Sequence, residues 1–167
     1  MGIILEESGM YFGTYAEENL FHMEKSTIYK SLGKGVSTIE FILSRRQKDI
    51  LFIEAKSSSP KPNVQIDFDV FIDEIHDKFA HSIEVFFSLI LGRKKDVEKE
   101  LSETFRLINQ AKADIKLILV INGHKVEWLP PIEKALHIRL KRQIRTWRLK
   151  LTVLNNEMAC EYGLLSI

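Results

Sequence analysis

The chain has 167 residues, enough for one domain with a sizeable core, and its 45% hydrophobic and 28% charged residues exclude a disordered or fibrous class. Its net charge of +1 selects no partner by itself, and its longest apolar runs, residues 85–92 and 117–121, are too short to span a membrane. No basic region precedes Ile3, so no signal peptide is expected; the single Cys160 allows no internal disulfide, no Cys/His cluster suggests zinc, and a reducing cytoplasm is the expected setting.

Residues 3–5 and 10–12 are predicted to be short strands turned at Ser8-Gly9, with Glu6 and Glu7 facing solvent. Residues 14–32 are predicted to be helical. Thr14 stands three residues before Glu17, the spacing of a capping box, and two partial apolar stripes follow: Leu20, Met23 and Thr27, then Phe21, Ile28 and Leu32. The acids of interest here are Glu17, Glu18 and Glu24. Glu18 leaves room for a separate strand around residues 26–31. Glu24 suits a helix continuing to Gly33, and its apolar surroundings would partly bury it. Gly33-Lys34-Gly35 is a turn that lacks the spacing of a phosphate loop.

Residues 36–43 are β-branched and aromatic, 45–49 polar, and 50–56 apolar again. This is the pattern of two strands joined by a tight, charged connection. Val36, Thr38, Glu40 and Ile42 share a side of the first strand; Ile50, Phe52, Glu54 and Lys56 share a side of the second. A turn centred on Gln47 sets Glu40 opposite Glu54. Like charges so placed repel. Two carboxylates beside an ammonium make most sense around a divalent cation, and hard carboxylate oxygens suit Mg²⁺ or Mn²⁺. The bland alternative is a solvated strand face carrying unrelated charges.

Glu40, followed by Glu54-Ala55-Lys56 at the end of an apolar strand, resembles the PD-(D/E)XK nuclease superfamily, with Ile39-Glu40 where the family name has proline-aspartate. The resemblance implies a restriction-endonuclease-like fold. It implies Glu40 and Glu54 as metal ligands, the Ala55 carbonyl as a third oxygen, and Lys56 as the group that positions or activates the attacking water. It further implies an acid from a preceding helix. Glu24 is preferred over Glu17 and Glu18 for that place, so that Glu24, Glu40, Glu54 and Lys56 form the expected catalytic set. The helix after the E-x-K strand often sends one polar side chain towards the site in this family, and Lys78 is the candidate.

Residues 57–63, SSSPKPN, break the chain, because Pro60 and Pro62 forbid a helix or a central strand. The serines are read as turn formers, since no histidine–acid pair accompanies them. Residues 64–91 form the strongest predicted helix. Phe68, Ile72, Ile75, Phe79, Ile83, Phe86 and Ile90 recur at steps of three and four. Lys78, His81 and Ser82 share a face beside that stripe, and Gly92 ends the helix. Residues 93–113 are charged and predict a second helix, short or interrupted.

Asp114–Ile121 is a continuous aliphatic run, as in a buried strand. Asn122-Gly123-His124 turns the chain, and Trp128-Leu129-Pro130-Pro131 starts a helix with proline near its first position. Leu136, Leu140, Ile144 and Trp147 are its expected apolar stripe. Residues 149–154 are a last strand, and 158–165 a short helix or tail.

Charge is unevenly spread. Residues 1–24 hold five acids and no Lys or Arg, whereas 137–150 hold six Lys and Arg and no acid. Arg139, Arg142 and Arg145 step by three along the latter helix. Such a stripe suits phosphate contact, although surface helices also carry such residues without a partner. The whole pattern predicts one α/β domain over residues 1–167, a mixed β-sheet with a central hairpin flanked by helices. Three functions fit this pattern. The first is a metal-dependent nuclease acting on nucleic acid, preferably DNA, with a second copy or a partner protein for cutting both strands. The second is a non-catalytic nucleic-acid-binding or assembly module on the same fold. The third is an unrelated α/β domain with incidental charges.

Overall fold

The computed structural model describes residues 2–95 and 97–166, with the backbone alone for Val97 and Glu98. The expected first hairpin forms from β1 (Ile3–Glu7) and β2 (Met10–Tyr15), paired antiparallel. Its turn residues Ser8 and Gly9 have φ of 52° and 75°, left-handed values that glycine adopts without strain.

The helix predicted over residues 14–32 does not form. β2 runs to Tyr15, a 3-10 turn covers Glu17–Asn19, and a short strand β3 (Leu20–His22) follows. Helix is confined to α1 (Thr27–Ser31). Ser26 is the working N-cap, its hydroxyl accepting from Tyr29 N at 3.1 Å. The segment before it is claimed by the sheet: Leu20, Phe21 and His22 pair with Leu43, Ile42 and Phe41, while Phe21 and Met23 are buried. Helix propensity is a weak prior that tertiary pairing overrides.

β4 (Phe41–Arg45) and β5 (Asp49–Lys56) make the central hairpin, followed by the long helix α2 (Gln65–Ile90). β4 starts later than the predicted 36–43. At Ile39 and Ser37 the backbone bonds to α2 side chains instead of a strand. Ser82 Oγ accepts from Ile39 N at 2.9 Å, and His81 Nδ1 lies 2.9 Å from the Ser37 carbonyl oxygen. Every buried backbone group needs a partner, and here the helix supplies it. Gly92, at φ 66°, closes α2.

The remaining elements are α3 (Val97–Glu100), α4 (Glu103–Leu107), β6 (Asp114–Ile121), α5 (Leu129–Arg139), α6 (Lys141–Trp147), β7 (Lys150–Asn155) and α7 (Asn156–Glu161). The five-stranded sheet has the order β3-β4-β5-β6-β7. The β3–β4 and β4–β5 pairs are antiparallel, whereas β5–β6 and β6–β7 are parallel and need the helical crossovers between them. The fold is therefore mixed α/β with a mixed sheet. Strand β5 is covered on both faces. Ile50 and Phe52 face α2, where Phe52 meets Phe86 edge-on with 5.4 Å between ring centroids. Leu51, Ile53 and Ala55 face the β1–β2 hairpin through Leu5, Met10 and Phe12. Among the described residues, no helix is long and apolar enough to cross a membrane.

The basic helix differs from expectation. It breaks at Leu140 (φ −91°, ψ 9°) into α5 and α6. Leu136 and Leu140 are buried, but Trp147 is 42% exposed, stacked on Phe87 with 4.3 Å between ring centroids. The kink turns α6 onto the surface of α2, so its tryptophan covers another ring instead of entering the core.

Candidate functional site

The β4–β5 register pairs Arg45 with Asp49 and Phe41 with Ile53. One step further along that register, Glu40 stands across from Glu54. Alternation puts Glu54 on the α2 face of β5, two residues beyond Phe52, and Lys56 two residues further on. There α2 contributes Glu74 and Lys78, one turn apart. The turn between β3 and α1 brings in Glu24. Glu24, expected on a helix, is thus presented by a turn.

Lys78 is the centre of this cluster. Its Nζ is 2.9 Å from Glu54 Oε1, 3.4 Å from Glu24 Oε1 and 3.8 Å from Glu40 Oε1. Lys56 Nζ is 3.4 Å from the same Glu54 oxygen and donates to Glu74 Oε1 at 2.5 Å. Glu54 is fully buried, and neither of its oxygens receives an aligned hydrogen bond. Burying a charge without full pairing is costly and displaces the pKa towards the neutral form. Burial, then the facing carboxylates of Glu54 and Glu24, push Glu40 up to about 8 against the pull of Lys78, with a further push from Glu7. Glu7, expected to face solvent, is half-buried beside this group. Burial also raises Glu54, opposed by Lys78 and Lys56. Burial alone would lower Lys78, but Glu54, Glu40 and Glu24 outweigh it and hold the ammonium protonated above its ordinary range.

Among the described residues, no set of three or more His, Cys, Asp or Glu side chains is disposed to hold a metal ion. The Lys78 ammonium lies within 3.8 Å of a carboxylate oxygen of each of Glu24, Glu40 and Glu54. The donor chemistry itself suits a hard divalent ion: carboxylate oxygens, two of them on Glu54 buried without a hydrogen bond. The Ala55 carbonyl, expected as a third oxygen, accepts from Ser8 Oγ at 3.0 Å, the donor coming from the tip of the β1–β2 hairpin.

The predicted phosphate-contact residues divide. Arg139 is exposed and ion-paired with Asp73 of α2, its Nε donating at 2.6 Å. Arg142 and Arg145 are exposed on α6, and none of the described acids pairs with them. Asp73 and Phe87, which anchor the two ends of this basic surface, are fourteen residues apart on α2, about 21 Å at 1.5 Å per residue. The basic face thus starts near the carboxylate cluster and runs away from it.

Glu74 was not legible as a site residue, although its place one turn before Lys78 carried the signal. No protein-family model, curated protein or solved structure matches this chain.

Proposed function

We propose that the chain hydrolyses phosphodiester bonds in nucleic acid, DNA by preference, with a divalent cation, on a restriction-endonuclease-like arrangement. One observation carries the reading: carboxylates from three separate segments, Glu24, Glu40 and Glu54, converge with Lys56 and Lys78 at the carboxyl end of β5. The antiparallel hairpin followed by a long helix and a parallel neighbour strand is the order the family resemblance implies. Glu40 and Glu54, joined by Glu24, would hold Mg²⁺ or Mn²⁺, which when bound polarises a phosphate and lowers the pKa of water. Lys78 would have to withdraw from Glu54 for this. Lys56, anchored by Glu74, offers a positive charge to the oxyanion that develops. A second copy or a partner protein would serve the other strand of a duplex.

One observation favours a second reading. Lys78 already lies within ion-pair distance of all three carboxylates, which suits a nucleic-acid-binding or assembly module with no chemistry. Calorimetric titration with Mn²⁺, beside cleavage assays on single- and double-stranded DNA, separates the two. The hydrolase binds Mn²⁺ and cuts DNA. Lys56→Ala keeps the metal and loses cleavage by orders of magnitude, whereas Glu54→Gln weakens both together. A wild-type chain that binds no Mn²⁺ and cuts nothing, or cutting that survives both substitutions, rules out the hydrolase.

A further inference from the structure

A second concave feature lies one loop beyond the carboxylate cluster. The 57–63 loop leaves Lys56. Together with the 122–124 turn after β6 and Trp128 ahead of α5, it walls a cavity of about 520 Å³. The cavity opens beyond the carboxyl ends of β5 and β6, two parallel neighbours, which is where α/β sheets characteristically receive ligands. Its walls carry no carboxylate, and Lys61 is their one charged side chain. Lys125 adds a second ammonium close by, 5.2 Å from the centroid of the Trp128 ring. The indole is 39% exposed, and His124 meets it edge-on at 5.1 Å. His124 Nε2 in turn lies 2.9 Å from Ser59 Oγ. Burial lowers the His124 pKa, so the ring is neutral near pH 7 and completes a polar, uncharged edge. An exposed indole, hydrogen-bonding edges and cationic neighbours suit a flat heterocycle joined to an anion.

We infer that this cavity takes one unpaired nucleotide of a nucleic-acid strand, its base stacked on Trp128 and its phosphate beside Lys61. The choice of a strand rests on the hydrolase reading. Ser59 is three residues from Lys56, at most about 11 Å of chain, so a strand passing Glu54 and Lys56 reaches the cavity with a nearby nucleotide. A free mononucleotide has the same chemistry, and the test separates the two sources.

The full chain carrying Trp147→Phe keeps Trp128 as its one tryptophan. It is titrated in EDTA with a single-stranded oligothymidylate, with a duplex containing the same strand, and with dTMP. Tryptophan emission and the anisotropy of labelled DNA are followed. The single strand quenches Trp128. Trp128→Ala weakens its binding by about 5- to 150-fold, the range one stacked base supplies, and Trp128→Phe retains most of the affinity. Ser59→Ala also weakens the single strand. Duplex affinity is unchanged by all three. Emission that the single strand leaves unaltered, or single-strand affinity that survives Trp128→Ala, overturns the inference. So does dTMP binding as tightly as the oligonucleotide. The titrations contain no divalent cation: a chain that cuts nothing yet stacks single strands on Trp128 keeps the cavity and loses the hydrolase.

Discussion

Replacing Glu40 with glutamine is expected to stabilise the chain in alkaline solution and to leave it nearly unchanged near pH 5. Burial and the facing Glu54 and Glu24 carboxylates hold Glu40 at about 8, against 4.5 for a free glutamate. Between those values the folded chain carries a proton on Glu40 that the unfolded chain has released. The folded state then binds more protons than the unfolded state, so stability falls as pH rises through this window and stays low above it. At 1.36 kcal/mol per pKa unit, the displacement sets a ceiling of ~5 kcal/mol. The side chain keeps 15% exposure, and water and neighbouring groups relax around it, so a gain of about 1–3 kcal/mol for Glu40→Gln near pH 9 is expected. Glutamine preserves the shape and carries no charge to repel. The assay is urea unfolding of wild type and Glu40→Gln near pH 5 and pH 9. The difference between the two proteins cancels other titrating groups such as His22 and His124, whose pKa values burial lowers. A variant less stable than wild type at pH 9, or a difference that does not change with pH, refutes the like-charge reasoning.

Lys78→Met should cost about 3–5 kcal/mol near neutral pH, because it takes the nearer of two counter-charges from the buried Glu54 and leaves only Lys56, itself shared with Glu74; adding Glu54→Gln should recover much of that loss in a double-mutant cycle by urea unfolding. If the carboxylates hold a divalent ion, the thermal shift produced by Mn²⁺ should grow between pH 6 and pH 8.5, because the ion must displace the Glu40 proton; a pH-independent shift would place the ion elsewhere. Arg142→Ala with Arg145→Ala should weaken DNA binding across sequences and flatten its salt slope in fluorescence titrations, whereas Arg139→Ala should do less, its guanidinium being already committed to Asp73.

The most legible parts were those with a strong period. The apolar stripe of α2 and the aliphatic run of β6 leave no competing structure, and both form within a residue of their expected bounds. Residues 14–32 were misread because their two partial stripes fitted a helix about as well as a chain of short elements. What decided the matter was the need of β4 for an edge partner, met by Leu20, Phe21 and His22. The late start of β4 was likewise hidden, since Ile39 and Ser37 find their backbone partners on Ser82 and His81, more than forty residues away.

At the site, alternation along residues 50–56 and a turn centred on Gln47 were enough to put Glu54 and Lys56 on one face and Glu40 across from Glu54, because strand geometry allows few other outcomes. The sequence also marked Lys78 and Glu24 as candidates, though with the wrong local structure around Glu24. What stands beside the carboxylates was a tertiary matter. How closely α2 lies over β5, and which of its polar side chains enters the gap, depends on packing Phe86 against Phe52 and tying Ile39 to Ser82. That docking carries the Lys78 ammonium to Glu54, a through-space contact that no period in the chain encodes.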